Sequence, residues 1–344
     1  MILNNIEKLN LPSKKDEEFN KINFEDFFSS EFKYIDTYEF DIMGLESYID
    51  TKTYESGLFN ITNNFNNEQK IITINRNILE PIFIIHKINE DNTFFTNSLK
   101  IEVKKGIKAT FVEVFVNNST NSAYSVNRTI HLEEDAQLEY AKIQDINEGN
   151  FLLLNTNINQ EKNSNLKISN FEYGNGFIVN TFLNNINNEE VIYNLNGLVK
   201  SKDSSNTSNL IKTIHNNSHT LSDVNYKHSL KDKSRAVFKV KSIVNKNAPF
   251  SKAYQNTNTI LLSNDAVIFA QPHLEILIDE LEASHGATTG TLDDEQLLYL
   301  QSRGISKDKA YSMLLDAFEA KIYNNIQDEQ IKEFILDYKR NNYV

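Results

Sequence analysis

Between about Lys70 and Ile278, short apolar-rich runs recur roughly every ten to fifteen residues, separated by Asn, Asp, Ser and Gly. One run contains Phe111, Val112, Val114, Phe115 and Val116. In the next, Val126, Ile130 and Leu132 alternate with Asn127, Thr129 and His131. Further sets are Phe177, Val179 and Leu183, then Val191, Tyr193 and Leu195, then Phe238 and Val240. Alternation of this kind puts one set of side chains on each face of a strand. No stretch in the region sustains a helical period. A sandwich, a barrel and a β-solenoid all accommodate short, evenly spaced strands. A helix-free region of this length favours a solenoid or two stacked sheets over one small barrel, and no strict repeat singles out the solenoid.

The flanks read differently. Residues 1–40 form a helical or irregular N-terminal region, 41–290 the β core and 291–344 a C-terminal helical domain. Pro12 and Ser13 can open a helix whose first turn carries Asp16, Glu17 and Glu18, with Phe19, Ile22, Phe27 and Phe28 as its contacts. At the other end, Thr291 can cap a helix with Asp294 three positions on. Leu297, Leu298 and Leu300 give that helix an apolar side, and Gly304 after Arg303 stops it. Ser306 can cap a second helix with an apolar stripe at Ala310, Met313, Leu314, Ala317, Phe318 and Ile322. Asp328 can cap a third that carries Ile331, Phe334, Ile335 and Tyr338. Three short helices bury little alone, so they are expected to dock on the β region or on another protein.

Composition removes several function classes. With 344 residues, two or three structural regions are expected. A formal charge of −12 argues against general nucleic-acid binding, which depends on excess Lys and Arg. The chain has no cysteine, which excludes disulfides, zinc fingers and a self-contained iron–sulfur site. Apolar runs such as residues 82–85 and 260–262 are too short to span a bilayer. The N-terminus lacks the basic start and apolar core of a secretory signal, so a cytoplasmic protein with neither a membrane nor a nucleic-acid partner is expected. No Gly-x4-Gly-Lys-Ser/Thr loop occurs, so ATP hydrolysis by this chain is not expected. The abundance of Asn has a plain explanation in AT-rich codon usage. A structural use is also open, since Asn tolerates left-handed backbone at tight corners.

Residues 250–318 carry an ordered set of motifs. Gln255-Asn256-Thr257-Asn258-Thr259 leads into Leu261-Leu262-Ser263. Then come Pro272-His273-Leu274-Glu275-Ile276 and Ser284-His285-Gly286-Ala287-Thr288, followed by the capped helices. Upstream stand His215, His219-Thr220-Leu221-Ser222, Tyr226-Lys227 and Ser234-Arg235-Ala236-Val237-Phe238. Downstream come residues 292–297, Tyr299-Leu300 and Ser302-Arg303-Gly304-Ile305. This order resembles the SufB/SufD family of iron–sulfur cluster assembly proteins. It covers roughly the last 130 residues well and the middle by pattern. Pro12 to Phe19 is similar to the family's short acidic N-terminal motif.

The resemblance implies a right-handed parallel β-helix with helical termini. It also implies a non-catalytic scaffold role in a complex with a SufB-like subunit and a SufC-like ATPase. In such complexes the two β-helices pair through their C-terminal edges, where Ser284, His285 and Gly286 would lie. The ATPase docks on the C-terminal helices, for which Leu297, Leu298, Tyr299, Arg303, Met313 and Phe318 are the candidates. ATP-driven closure then rearranges the interface. His285 is the candidate iron ligand, shared with the partner. No cofactor is expected to stay bound, and iron or a nascent cluster would pass transiently at the interface. A homodimer before pairing is also open.

Two departures matter. Ala283 stands where many relatives have a cysteine, and Val240 where a glycine is common. A cluster requires sulfur, so thiolate and sulfide must come through the SufB-like partner. Thr257, in place of that partner's cysteine, and Ser284-His285-Gly286, in place of its Glu-His-Glu, mark the cysteine-poor SufD branch. A neutral imidazole needs an acceptor to orient it, and an extended 276–284 run would put Asp279, Leu281 and Ala283 on the face of His285. His215 and His219 would share a strand face about 13 Å apart, too far for one ion. They read as structural, as do His86, His131, His228 and His273. Two other readings stand beside the scaffold: a purely structural solenoid subunit, and a carbohydrate-active β-helix enzyme.

Overall fold

A computed structural model describes residues 2–3, 11–37, 46–49, 57–65 and 68–343. The start of the β core read at residue 41 lies outside the described residues. Among the described residues of the N-terminal part stand two helices, α1 (Glu25–Ser29) and α2 (Gly57–Phe65). The first strands are β1 (Tyr34–Thr37), β2 (Glu46–Ile49), β3 (Glu68–Ile74) and β4 (Ile82–Ile88). β5 (Thr93–Val103), β6 (Lys108–Asn117), β7 (Ala123–Leu132), β8 (Gln137–Ile146), β9 (Phe151–Gln160) and β10 (Asn165–Gly174) follow. Then come β11 (Phe177–Ile186), β12 (Ile192–Ser201), β13 (Asn206–His215) and β14 (Leu221–Leu230). β15 (Arg235–Val244), β16 (Ser251–Leu261), β17 (Val267–Ile276) and β18 (Leu281–Gly290) complete the set. α3 (Asp294–Ser302), α4 (Lys307–Asn324) and α5 (Glu329–Asn342) close the chain.

From β3 on, odd-numbered strands stack in parallel in one sheet and even-numbered strands in the other. Each coil thus contributes one strand to each sheet, and the molecule is a parallel β-solenoid of about eight turns. The mainly β reading holds, and among the three architectures that strand spacing left open, the solenoid is the one formed. β2, antiparallel on β3, closes the odd sheet at its N-terminal end.

Inward residues of the two sheets meet in one core that includes Leu99, Phe111, Ile130, Leu132, Ile168, Leu195, Ile211 and Phe238. The alternation of Val126, Ile130 and Leu132 with Asn127, Thr129 and His131 is this inside–outside division. Corners require left-handed backbone, and Asn92, Asn121, Asp135, Asn163, Asp203 and Asp232 supply it at φ between 51° and 61°. Asparagine side chains also stitch one turn to the next. Asn117 Oδ1 accepts the Asn147 N–H at 3.1 Å, Asn150 Oδ1 that of Ser122 at 2.9 Å and Asn175 Oδ1 that of Glu148 at 2.9 Å. The structural use of Asn is therefore real, whatever the genome's base composition.

One inward patch is ionic. Arg128 and Glu113, both without exposed side-chain surface, are joined by Nη2–Oε1 at 2.6 Å and Nε–Oε1 at 2.9 Å. His86 Nε2 lies 2.6 Å from the same carboxylate, and the Tyr140 hydroxyl donates to it. Burial alone would raise the Glu113 carboxyl, but Arg128 and His86 overcome it and hold the group below the usual range. Arg128 occupies an inward position between Val126 and Ile130, where the apolar reading of that strand passes over it.

The outer faces are covered by the flanks. Phe19, Ile22, Phe24, Phe27, Phe28 and Phe32 pack over Phe94, Phe151, Leu153 and Val179 of the odd sheet. These aromatic contacts are as expected, but no helix opens at Pro12–Ser13. Residues 14–21 form turns, with Asp16 Oδ2 accepting the Ser13 N–H at 2.8 Å, and helix begins only at Glu25. A local side-chain turn satisfies these donors more cheaply than a helix nucleus would.

On the even sheet, Ile322, Tyr323, Ile326, Ile331 and Ile335 cover Val112, Val114, Ile143, Phe171 and Leu198. Ser306 and Asp328 cap α4 and α5 as expected. The cap of α3 is Asp293, not Thr291: its carboxylate accepts the N–H groups of Glu295 and Gln296, a charged acceptor where the dipole favours one. Arg303 ends this helix and Gly304 turns left-handed at φ 84°. The buried face of α4 is Ala310, Leu315, Glu319, Ile322 and Tyr323, rotated from the stripe the spacing suggests; Met313 and Ala317 face outward. The rotation turns Glu319 inward, where Lys339 at 2.7 Å and Lys200 at 3.5 Å compensate its charge. No described helix is long and apolar enough to cross a membrane.

Candidate functional site

The solenoid ends open. β17 pairs only with β15 and β18 only with β16, so two ten-residue strands present unpaired edges at the same end. Exposed parallel edges are templates for another chain unless something covers them.

Register places the motif residues. Ser251, Ala253, Gln255, Thr257 and Thr259 of β16 are buried, and β18 stacks Leu281, Ala283, His285, Ala287 and Thr289 directly on them. His285 is therefore an inward position of the last turn, exposed because no further turn lies above it. It sits on Gln255, whose Nε2 donates to Ser242 Oγ at 2.8 Å and to the His273 carbonyl at 3.1 Å. Ser284 and Gly286 point to the other face, over Tyr254 and Asn256. Ala283, on the His285 face, packs against a small cluster of Val244, Ala248 and Ala253.

One expectation fails here. The 276–284 run is not continuous: β17 ends at Ile276, the chain turns, and β18 begins at Leu281. Asp279 lies in that turn and takes no register position beside His285. Two adjacent acids, Asp279 and Glu280, prefer the solvated corner to a strand interior. Glu282, on the outward face, pairs with Lys252 at 2.9 Å and accepts from the Tyr254 hydroxyl at 2.7 Å.

The helical candidates divide into two groups. α3 buries no residue: Leu298 and Tyr299 are 65% and 56% exposed, and Leu297 is half-buried. The Arg303 guanidinium lies over the Tyr299 ring and donates to its hydroxyl at 2.9 Å. Met313 is exposed on α4, whereas Phe318 is half-buried with Lys227 Nζ 4.3 Å from its ring centre.

Elsewhere, His215 ends β13 inside the core, with Nδ1 2.7 Å from Thr220 Oγ1 and Nε2 2.8 Å from Ser222 Oγ. His219 is in the following corner, at φ 55°, so the two do not share a strand after all. His86 and His228 are buried, and His131 is half-buried beside Glu161. Glu102, His131 and Glu133 gather ligand atoms within 4.8 Å of one another, the single such group of three among the described residues. Lys104 bridges it, 3.0 Å from Glu102 and 2.8 Å from Glu133, and Lys100 lies 2.8 Å from Glu102, so two ammonium groups already balance the two carboxylates. Sequence reading missed Ala253, and it missed that Gln255, quoted only as part of a motif, forms with it the layer beneath His285. Their relation to Ala283 and His285 exists only through inter-turn register, thirty positions away in the chain.

Residues 86–318 match the family described as SUF system FeS cluster assembly, SufBD core domain. The chain is 27% identical over 237 residues to the iron–sulfur cluster assembly protein SufD of Escherichia coli, covering 69% of this chain and 56% of that protein. It is 26% identical over 239 residues to SufD of Plasmodium berghei, covering 68% of this chain and 18% of that protein. A SufBD family protein of Synechocystis is 33% identical over 111 residues, or 32% of this chain and 24% of that one. The chain thus spans little more than half of the bacterial relative and less of the others.

Proposed function

The chain belongs to the SufBD core family of iron–sulfur cluster assembly proteins, and from that premise we propose that it is the thiol-free scaffold half of an assembly complex. Its open end pairs with a SufB-like subunit, edge strand against edge strand. The ten-residue edges of β17 and β18 supply backbone donors and acceptors, and side-chain fit supplies specificity. The exposed apolar side of α3 docks a SufC-like ATPase. His285 then lies at the joined interface, where its imidazole takes iron, the cargo of the reaction, while thiolates come from the partner. The chain contributes geometry and one ligand rather than catalysis, and it works in the cytoplasm.

The observation that carries this reading is the position of His285: an inward residue of the terminal turn, uncovered, between two free edges. A purely structural subunit would need the edges but not the histidine. The carbohydrate-enzyme reading draws no support from the surface acids Glu102 and Glu133, which Lys104 holds in ion pairs.

Co-expression with SufB-like and SufC-like chains, followed by pull-down and cluster reconstitution, tests the proposal. His285→Ala should leave complex formation and melting temperature unchanged, because the side chain is exposed, and should lower cluster formation about tenfold or more. Full activity in that variant leaves only the structural role. Failure of the unmodified chain to capture a SufB-like subunit removes the scaffold reading.

A further inference from the structure

A cleft of about 530 Å³ opens between the N-terminal arm and the outer face of the odd sheet, over its last strands β13, β15 and β17. Lys14, Asn20, Lys21, Ile22, Asn23, Asn206, Arg235 and Phe269 line it, with no carboxylate among them. That volume is typical of small-molecule sites. In a chain of net charge −12, a concavity with three cations and no acid is an anomaly.

The register shows why it opens there. One outward column runs Phe94, Ala123, Phe151, Phe177, Asn206, Arg235 from turn to turn. Over Phe94, Phe151 and Phe177 the arm lays Phe24, Phe27 and Phe32 in direct ring contact. Where the column changes to Asn206 and Arg235, polar contacts to the arm replace ring contacts, and the cleft lies beside them.

Arg235 is held in place. One Nη donates to the Lys21 carbonyl at 3.0 Å, and the guanidinium stacks 4.3 Å from the Phe269 ring centre, with Lys21 Nζ 5.5 Å from the same ring. Lys239, four residues further along β15, donates to the Glu17 carbonyl at 2.7 Å and to Asn20 Oδ1 at 2.7 Å, which ties down the arm's other side. Lys14, Lys21 and Arg235 have no ion-pair partner among the described residues. A half-buried guanidinium bears a desolvation cost that an anion would offset, and its fixed planar fork suits two oxygens of one phosphate.

We propose that this cleft binds a phosphate-bearing small anion, with Arg235 and Lys21 as its principal contacts, Lys14 closing over it and Phe269 as the wall. Its wall, Phe269, stands on β17, so the cleft borders the open end, but every lining residue comes from this chain and none requires a partner. The proposal therefore stands or falls independently of the scaffold role.

The test is calorimetric titration of the purified full-length chain, without partners, at about 0.15 M salt, where long-range repulsion is screened. Inorganic pyrophosphate and adenosine diphosphate serve as parallel probes. Saturable one-to-one binding of either is expected, and the tighter of the two tells whether a base stacking on the Phe269 side contributes. Arg235→Gln and, separately, Lys21→Gln should each weaken it about tenfold or more, the loss of one charge-assisted contact. Lys21→Gln keeps the backbone carbonyl that anchors the arm, so its loss of binding cannot come from an unmoored arm. Lys246→Gln, an exposed corner lysine elsewhere, should bind like the parent. Absence of saturation with both probes, or equal affinity in the Lys21, Arg235 and Lys246 variants, overturns the proposal.

Discussion

Replacing Arg128 by Met tests whether the interior ion pair is essential once built. The Arg128 side chain has no exposed surface. It makes Nε and Nη2 bonds to Glu113, and its Nη1 donates to Asn97 Oδ1 at 2.7 Å and to the Asn127 carbonyl at 2.8 Å. Methionine fills similar length but leaves Glu113 buried beside His86 and Tyr140, with no guanidinium to pair it. Breaking a buried pair by removing one partner costs about 3–5 kcal/mol, because an uncompensated charge remains. Removing both charges in Arg128→Met/Glu113→Leu should recover most of that loss, since neither desolvation penalty is then incurred. The assay is urea denaturation followed by circular dichroism at pH 7, with the parent, both single variants and the double variant forming a cycle. The pH dependence gives a second check. In Arg128→Met the carboxyl loses the charge that lowers its pKa, so its folded pKa rises above the unfolded value. The variant's deficit should shrink as pH falls and the group is protonated. A loss below about 1 kcal/mol, or a double variant no more stable than Arg128→Met, would refute the account.

Two further outcomes follow from buried geometry. A Cβ on Gly197 would stand 2.1 Å from the Tyr226 ring, which Asn209 and Asn170 hold by hydrogen bonds at 3.2 and 3.3 Å. Gly197→Ala should therefore cost about 1–3 kcal/mol in a chemical melt, and adding Tyr226→Leu should restore part of it. Burial lowers His215 to about 4 and His228 to about 3 from 6.5. With folded values below the unfolded one, the stability of the neutral rings is complete above pH 6.5 and drains as pH falls toward 4 and 3. That amounts to about 2.5 kcal/mol per ring by pH 4.5. Glu172, raised by burial to about 7, acts in the opposite sense: its contribution is present below pH 4.5 and is lost as pH rises through 7. His215→Gln isolates the histidine, and its stability should fall less between pH 7 and 4.5 than the parent's.

Much of the fold was legible because a strand's two faces are written in alternate residues. Val126, Ile130 and Leu132 announce an inside, and Asn127, Thr129 and His131 an outside, without knowledge of any neighbour. Helix ends were legible for the same local reason: Ser306, Asp328 and Gly304 act on backbone groups within a few residues of themselves. Thr291 misled because Asp293, two positions on, is the better acceptor at a helix N-terminus. The stripe on α4 misled because spacing ranks residues by hydropathy, while Lys200 of β12 and Lys339 of α5 offer Glu319 the charges that make it a buried residue.

The candidate site divides along the same line. Ser284-His285-Gly286 could be singled out as a motif, but its surroundings could not. An extended reading made Asp279 a neighbour of His285, and the corner at residues 277–280 separates them.

By itself the amino-acid order determined strand against helix, the inward parity of each strand, the absence of any thiol and the family to which the chain belongs. Each of these is carried by composition or by residues close in the chain. Only the tertiary structure decided which turn lies on which, and hence that Gln255 underlies His285, that Arg128 meets Glu113 and that Arg235 faces Lys21 across a cleft. Those pairings join residues fifteen to more than two hundred positions apart. Inter-strand hydrogen bonding sets them, and it leaves no local periodicity to read.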